Sequence, residues 1–223
     1  RDTAMTVTGS IKFDLKPSPA LIEAAAQWRA GWGQRPVWIA ASTHAGEDEP
    51  VLQAHRQLLE RHPRALLILV PRHPERFDGV ARLVQQSGLS LVRRSSGAQP
   101  GEACQVFLGD SMGELMQFYA CADLAFVGGS LIPGGGHNYL EPAALGLPVL
   151  SGPHRFNFDE ISQLLEQAGA LVEVADAAAM VAQVQAWLDD EVARERAGEA
   201  GRKVVEANQG ALEQLLQGIS RLL

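Results

Sequence analysis

The sequence predicts a doubly wound α/β domain, in which helices cover both faces of a parallel sheet of about six strands. Short, continuous apolar runs recur along the chain, as in strands that are buried on both faces. Segments with the 3.6-residue apolar period of amphipathic helices separate these runs. Glycine, proline and hydroxyl residues follow most of the runs, where turns are expected.

The elements follow in a regular order. Residues 6–17 are predicted to be extended, residues 20–29 helical, and residues 31–36 a loop. The predicted strands are 37–42, 66–70, 89–92, 105–108, 124–127 and 148–150, with a further short strand at 171–174. The predicted helices after residue 48 are 49–61, 76–87, 112–121, 138–145, 158–168, 176–189, 190–206 and 208–222. Pro71 ends the second strand, and Gly88 is typical of a helix C-terminus.

Composition favours a soluble protein without a disulfide framework. The net charge of −7 and the pI near 5.4 argue against broad nucleic-acid binding. No apolar stretch approaches the roughly 18 residues of a membrane span, and no signal peptide opens the chain. Cys104 and Cys121 are expected to be buried thiols in a reducing, cytoplasmic setting. Because the chain opens on Arg1, we expect a piece of a longer protein: an interdomain segment and helix (1–30) and a binding domain (31–223).

Charge is distributed unevenly. Residues 51–100 contain eight arginines and three acidic residues, whereas residues 156–223 contain twelve acidic and five basic residues. A local basic region in an acidic protein suits a small anionic ligand, although most of these arginines are expected on solvated helix faces.

Parallel strands end at one edge of a sheet, and ligands bind there in open α/β folds. After the first strand, the turn 42–47 is either a seat for a phosphate or carboxylate or an ordinary capping turn. After the second strand, two prolines fix the presentation of Arg72, which suits a phosphate; the alternative is a solvated loop.

Two further strand ends are weaker candidates. After the fourth strand, Asp110 or Ser111 is expected to cap a helix, and backbone groups at 112–113 could meet a ligand. After the sixth strand, the turn 151–158 could contact the sugar or acid part of a ligand. Its two aromatic residues, Phe156 and Phe158, are expected in the core.

The glycine-rich stretch 128–138 after the fifth strand is the strongest candidate. Glycines allow a close approach of the backbone to a ligand, and the start of the following helix favours anions. Asn138 is expected to cap that helix, and Glu141 on its first turn could accept two hydrogen bonds from a ribose. The stretch is neither a Walker A loop nor a dinucleotide fingerprint. It therefore predicts a nucleotide site of another kind.

Histidines also lie at strand ends. A metal site is disfavoured because each lies in a separate loop, without paired ligand spacing. These residues are His44, His73, His137 and His154.

A series of segments in this order resembles the Kdo transferases, which transfer 3-deoxy-D-manno-octulosonic acid (Kdo) from CMP-Kdo to lipid A precursor. The segments are residues 9–14, 42–47, 71–76, 112–115, 135–138 with 140–141, and 152–154 with 156–158. The resemblance covers nearly the whole chain. It departs from the family at Ile132-Pro133-Gly134, where charged residues are usual.

The resemblance implies the C-terminal half of a GT-B glycosyltransferase, inverting and independent of metals and cofactors. It implies that the catalytic base, the membrane anchor and the acceptor site belong to an N-terminal half absent from this chain. The isolated chain is then expected to be inactive, and the whole protein to work at the cytoplasmic face of the bacterial inner membrane. No nucleic-acid partner is expected.

The implied CMP contacts agree with the strand-end argument. Arg72 is expected to neutralise the phosphate, Glu141 to hold the ribose, and the backbone of 112–114 to contact cytosine. Three further residues are expected near the sugar carboxylate or hydroxyls, and Lys12 near the interdomain cleft. The predicted donor-binding residues are Pro71, Arg72, Met112, Gly113, Glu114, Gly136, His137, Asn138, Tyr139, Leu140 and Glu141, with Ser42, His44 and His154 for the sugar.

Two alternatives stay open. One is another GT-B half, from a UDP-sugar transferase or a 2-epimerase. The other is a non-catalytic nucleotide-binding module.

Overall fold

Seven parallel strands form one sheet in the computed structural model, which describes residues 10–211. The strands are β1 Val37–Thr43, β2 Leu66–Pro71, β3 Leu91–Arg93, β4 Val106–Leu108, β5 Leu124–Val127, β6 Val149–Ser151 and β7 Leu171–Glu173. Their order across the sheet is β3-β4-β2-β1-β5-β6-β7. The doubly wound prediction is confirmed. The sheet has one strand more than the predicted six because β7 pairs with β6 at the edge.

The helices lie between and after the strands. They are α1 Pro19–Gly31, α2 Asp48–Arg61, α3 Phe77–Gln86, α4 Leu115–Ala120, α5 Leu140–Ala144, α6 Asp159–Gln167, α7 Ala177–Asp189 and α8 Glu191–Ala207. Most bounds agree with the prediction within two residues. No helix among residues 10–211 is both long enough and apolar enough to cross a membrane.

Burial on both faces explains the continuous apolar run of β1, all seven residues of which are buried. Trp38 and Ala40 pack into the cluster formed with α2, α3 and α7. Val37, Ile39 and Ala41 pack into the opposite cluster, formed with α1 and α4. Side chains therefore alternate between two cores, as the period of a strand requires.

Helix α1 belongs to the same core as the sheet. Ala25 is buried among the residues that pack on β1, and Arg29 forms an ion pair of 3.2 Å with Asp123 before β5. Asp123 also accepts a hydrogen bond of 2.7 Å from the N–H of Val37. Residues 19–31 thus pack against the domain that they precede. The boundary between residues 30 and 31 stays a prediction.

The chain ends differ in part from the expectation. Residues 11–13 form one 3₁₀ turn, where an extended segment was predicted, because the Ser10 side chain accepts a hydrogen bond from the Lys12 N–H. The extended structure predicted for residues 6–9 and most of the helix predicted at 208–222 lie outside the described residues. Cys104 and Cys121 are buried, as predicted.

One buried imidazole links α2 to β1 and to the residue before β4. His55 on α2 accepts a hydrogen bond from the indole N–H of Trp38 at 3.0 Å, and its other ring nitrogen lies 2.8 Å from the Gln105 carbonyl. This pattern requires the neutral ring, and burial lowers the pKa of His55 to about 4.

The strand order reverses between β1 and β5. From β1 the chain runs outward through β2, and it later crosses to the other side of β1 to form β5. The crevice at the carboxyl ends of such neighbours is the expected ligand position. The turn at 44–47 and the glycine-rich loop that begins at Gly128 meet there.

Candidate functional site

Glu47 holds the glycine-rich loop through backbone hydrogen bonds. Its carboxylate is fully buried and accepts hydrogen bonds from four backbone N–H groups. One donor is His44, at 2.9 Å, on its own turn. The others are Gly129 at 2.7 Å, Ser130 at 3.0 Å and Leu131 at 3.0 Å. A single side chain therefore joins the carboxyl ends of β1 and β5.

Close contacts make glycine necessary in the second half of this loop. A Cβ atom on Gly136 would lie 2.3 Å from the Tyr139 hydroxyl, and one on Gly135 would lie 2.3 Å from the Asn157 amide nitrogen. Both glycines also have positive φ, at 77° and 86°. The Gly136 N–H closes the loop by donating to the Gly129 carbonyl at 2.8 Å.

The turn after the loop presents Glu141 and backbone groups. Asn138 accepts a hydrogen bond of 3.1 Å from the Leu140 N–H and so stabilises the turn before α5, but the N-cap position of that helix is Tyr139 and not the predicted Asn138. Its side chain also bonds the Glu141 carboxylate. Burial raises the pKa of Glu141, whereas Asn138 and the nearby Arg72 guanidinium act in the opposite direction. Glu141 is half-buried, so its carboxylate is held in place and still reached from solvent.

Tyr139 and Leu140 contribute differently from their neighbours. Both side chains are fully buried, and the Tyr139 hydroxyl lies 2.8 Å from the Ser151 hydroxyl. What these two residues can offer a ligand is their backbone. The helix that follows, α5, has five residues, so individual N–H groups matter more here than a long helix dipole.

The end of β2 presents Arg72 on a fixed backbone. Pro71 pairs with Thr43 in the sheet, and the Arg72 N–H donates to the Thr43 carbonyl at 3.0 Å. Arg76 donates to the same carbonyl and pairs with buried Asp48. Asp48 in turn accepts a hydrogen bond of 2.7 Å from the Thr43 hydroxyl. These bonds tie the turn 71–76 to the end of β1.

The guanidinium of Arg72 is available to a ligand. Its side chain is exposed and makes no hydrogen bond or ion pair with any residue in the described range 10–211. It is close enough to lower the pKa of Glu141, His44 and His137. The predicted phosphate ligand Arg72 and the predicted ribose ligand Glu141 therefore share one site.

The turn at 110–114 is stabilised by ion pairs instead of a helix cap. Asp110 was predicted as a possible cap, but it bonds Arg93 at 2.6 Å and both the N–H and hydroxyl of Ser95. Glu114 forms a bidentate pair with Arg94 at 2.8 and 3.1 Å.

The cap prediction for Asp110 is therefore wrong, and Ser111, the other candidate, bonds the Glu114 side chain instead. Helix α4 begins only at Leu115, three residues later than predicted, because Gly113 has a φ of 82°. Met112 is 64% exposed, and the backbone of residues 112–114 lies open beside it. Since Glu114 is paired with Arg94, this turn offers a ligand mainly backbone groups and the Met112 side chain.

Three of the four strand-end histidines converge. The Nε2 atoms of His44 and His137 lie 2.7 Å apart, and their rings are nearly parallel, at 9°, with centroids 5.0 Å apart. His73 meets His44 edge-on at 5.3 Å. Three separate loops therefore bring these rings together at the carboxyl edge of the sheet. Residues 10–211 nevertheless contain no group of three His, Cys, Asp or Glu side chains that could hold a metal ion.

His154 does not join this cluster. Its N–H donates to the Ser130 carbonyl at 2.9 Å, which joins its turn to the glycine-rich loop. Phe158 packs edge-on against Tyr139 in the core, as predicted. The prediction for Phe156 is wrong, since it is 65% exposed beside Gly135. The turn 152–157 stays at the surface because Asn157 bonds the loop through the Gly134 carbonyl at 3.1 Å.

Ser42 is the one non-glycine residue with positive φ among those described, at 57°. It lies at the irregularity between Ala41 and Thr43 in the pairing of β1 with β2. Gly128 permits this close packing, because a Cβ there would lie 2.6 Å from the Ser42 carbonyl. Such backbone strain is often found at ligand sites.

The sequence argument missed two groups that build the site. Glu47 was considered as a partner in a capping turn, and Asp48 was not singled out. Two adjacent acidic residues at the start of an amphipathic helix were the available signal, but their partners lie in segments distant in sequence. A surface depression of about 560 Å³ along α2, lined by Glu49, Arg56 and Glu60, lies apart from these strand ends.

Comparisons with known proteins agree with this geometry. Residues 48–204 match the family model "Glycosyl transferases group 1". The chain is 50% identical over 214 residues to a 3-deoxy-D-manno-octulosonic acid transferase of Haemophilus influenzae, across 95% of this chain and 50% of that protein. It is 40% identical to the Bordetella pertussis protein of the same name, across 97% of this chain and 51% of that protein. The chain thus spans about half the length of these curated relatives.

A solved structure covers most of the described fold. The C-terminal CMP-Kdo binding domain of WaaA from Acinetobacter baumannii matches 84% of this chain and 99% of its own, with a TM-score of 0.81 and 41% identity.

Proposed function

This chain belongs to the glycosyl transferases group 1 family and to its Kdo transferase branch, and on that premise we propose that it binds CMP-Kdo as the sugar donor. The proposal rests mainly on the guanidinium of Arg72, which makes no ion pair within residues 10–211 and lies within electrostatic range of Glu141 at the carboxyl edge of the sheet. A cation and a carboxylate at the same edge match the phosphate and the ribose of a nucleotide.

Arg72 neutralises the phosphate of the donor. In glycosyl transfer from CMP-Kdo, the C–O bond between sugar and phosphate breaks and CMP leaves as an anion. A guanidinium at this position stabilises the charge that develops on the leaving group. The turn 71–76, tied to β1 through Thr43 and Asp48, fixes the backbone from which Arg72 extends.

The nucleoside lies between two turns. Glu141 accepts hydrogen bonds from the two ribose hydroxyls, and Asn138 orients its carboxylate. The backbone of residues 112–114 contacts the cytosine edge, while exposed Met112 packs on the base. The backbone of Gly136 to Leu140 borders the phosphate, and Ser42, His44, His137 and His154 surround the sugar side of the site.

The whole protein transfers Kdo to lipid A precursor, with inversion and without a metal ion. Its catalytic base and acceptor site come from the part of the protein that this chain does not contain. We place that protein at the cytoplasmic face of the bacterial inner membrane. The chain by itself binds the donor and does not transfer the sugar; detectable transfer by this chain would refute that division of roles.

Calorimetric titration of CMP into Arg72→Ala tests the site. Loss of a charge-assisted contact predicts about 10- to 100-fold weaker binding. Arg82→Ala is the matched control, because Arg82 is also exposed and unpaired within residues 10–211 but lies on α3. It should bind CMP within about twofold of the wild type. Unchanged affinity in Arg72→Ala would remove Arg72 from the site, and equal or tighter binding of UMP would favour a UDP-sugar enzyme.

A further inference from the structure

His44, His73 and His137 form an imidazole cluster at the carboxyl edge of β1, β2 and β5. The rings of His44 and His137 are nearly parallel and face each other through their Nε2 atoms at 2.7 Å, and His73 meets His44 edge-on. A Cβ atom on Gly129 would lie 3.0 Å from the His137 ring, so the loop glycine makes room for this pair. His44 and His137 are half-buried and His73 is exposed, so a ligand can reach the cluster.

The contact between the two Nε2 atoms fixes how many protons the pair holds. At 2.7 Å, one nitrogen must donate a hydrogen atom and the other must accept it. A pair with one additional proton, His⁺ beside neutral His, keeps this hydrogen bond. With two additional protons, both Nε2 atoms would carry a hydrogen atom and point it at the other, which would break this hydrogen bond. The pair can therefore take up one proton while the geometry persists.

The surroundings keep this proton away while the site has no ligand. The charged or titratable groups that face the pair are Glu47, Arg72, His73 and Arg76. Burial, followed by the positive charge of its neighbours, lowers the pKa of His137 to about 4. Burial also lowers the pKa of His44, although Glu47 acts in the opposite direction. Glu47 is already bonded to four N–H groups, so it is not available to pair with an imidazolium.

We propose that these three histidines bind the carboxylate of the donor sugar, and that the subsite takes up one proton from solvent as the donor binds. The inference rests on the proposed CMP-Kdo site. In a 2-ulosonic acid such as Kdo, one carbon carries both the carboxylate and the oxygen linked to phosphate. The seat of the carboxylate must therefore adjoin that of the phosphate. Arg72 acts on His44, His137 and Glu141 alike, so the cluster lies beside the proposed phosphate ligand.

A bound carboxylate changes the proton balance of the cluster. Its negative charge favours the imidazolium and raises the pKa of the pair in the complex. Binding then strengthens as the pH falls below the pKa of the complex, by at most about tenfold per pH unit for one proton. The charges of the donor's carboxylate and phosphate diester do not change between pH 6 and 8. A change of affinity in this range therefore reports protonation of the protein.

Calorimetry in buffers of different ionisation enthalpy measures the proton uptake directly. At pH 7, the protein should take up a large part of one proton when it binds CMP-Kdo. Its affinity for CMP-Kdo should rise severalfold from pH 8 to pH 6. Cytidine 5′-(methyl phosphate), which has the charged diester and no carboxylate, should bind with little uptake. His137→Gln and His44→Asn should lose the uptake and flatten the pH dependence. His62→Gln is the control, because His62 contacts Asp189 away from the site.

The wild-type experiment decides the question even if a variant fails to fold. Binding of CMP-Kdo without proton uptake, or with an unchanged affinity from pH 8 to 6, would refute the subsite and leave the proposed donor intact. Equal uptake with the methyl phosphate would show that the histidines hold phosphate and would refute the carboxylate assignment. Absence of CMP-Kdo binding would refute the proposed donor and the subsite together.

Discussion

Replacing Glu47 by glutamine tests how the glycine-rich loop is held. The carboxylate serves two pairs of N–H groups: Oε2 accepts from His44 and Gly129, and Oε1 accepts from Ser130 and Leu131. A glutamine of the same shape has one oxygen and one NH₂ group. Whichever way its amide is turned, two backbone N–H groups then face a donor and lose their acceptor.

The magnitude follows from this count. Each buried N–H group without a partner costs about 1–3 kcal/mol, so two cost about 2–6 kcal/mol. Relief from burying a charge offsets part of that cost. We expect Glu47→Gln to lower the free energy of unfolding by about 2–4 kcal/mol, which for a domain of this size lowers Tm by roughly 5–15 °C.

Urea unfolding at pH 7 measures this difference, and titration with CMP reports whether the loop has moved. Glu49→Gln is the matched control, since Glu49 is an exposed acid on the next turn; it should stay within about 0.5 kcal/mol of the wild type. This prediction is wrong if the free energy of unfolding of Glu47→Gln stays within about 0.5 kcal/mol of the wild type, as for the control, and its affinity for CMP is unchanged. The four hydrogen bonds would then not hold the loop.

Three further predictions concern the core and the donor turn. Protonation of buried His55 is disfavoured in the folded state, so stability should fall as the pH drops from about 6.5 towards 4, by about 3 kcal/mol in total; acid unfolding curves of the wild type and a His55→Gln variant, which cannot titrate, should differ in this range. Glu141→Gln should weaken binding of CMP about tenfold and leave binding of the 2′,3′-dideoxy nucleotide unchanged, because it loses its contacts to the ribose hydroxyls; an equal loss for both nucleotides in calorimetry would argue against that role. Gly136→Ala should be more destabilising than Gly146→Ala in urea unfolding, since both have positive φ but only the former places a Cβ 2.3 Å from the Tyr139 hydroxyl; equal effects would mean that the close contact relaxes freely.

Periodicity and the residues at strand ends were sufficient to predict the parallel sheet and the edge where the site lies. A strand that is buried on both faces appears in the sequence as an apolar run. In β1 this is because its side chains pack alternately into two cores. The position of Arg72 and Glu141 at one edge of the sheet also followed from one rule, because carboxyl ends of parallel strands share an edge. The position of β7 beside β6 did not follow, since strand pairing is a long-range choice that three residues do not encode locally.

The polar framework of the site could not be predicted from local patterns. Glu47 bonds backbone groups more than 80 positions away, and nothing in the sequence near it records those partners. Asp110 is a residue type common at helix N-caps, but its carboxylate bonds Arg93 and Ser95 at a neighbouring strand end instead. Ser42 has a left-handed φ that only the packing of Gly128 explains. Long-range hydrogen bonds at Glu47 and Asp110, and close packing at Ser42, thus outweighed local preferences.

The position of the bound nucleotide tests the central claim most directly. In a two-dimensional ¹⁵N–¹H spectrum of this chain titrated with CMP, the account predicts shifts in the amides of residues 72, 112–114 and 136–141. The amides of α2, along the separate depression at Glu49 and Arg56, should stay unchanged. Shifts concentrated on α2, or none at residues 112–114 and 136–141 with CMP in excess, would contradict a donor site at the carboxyl edge of the sheet.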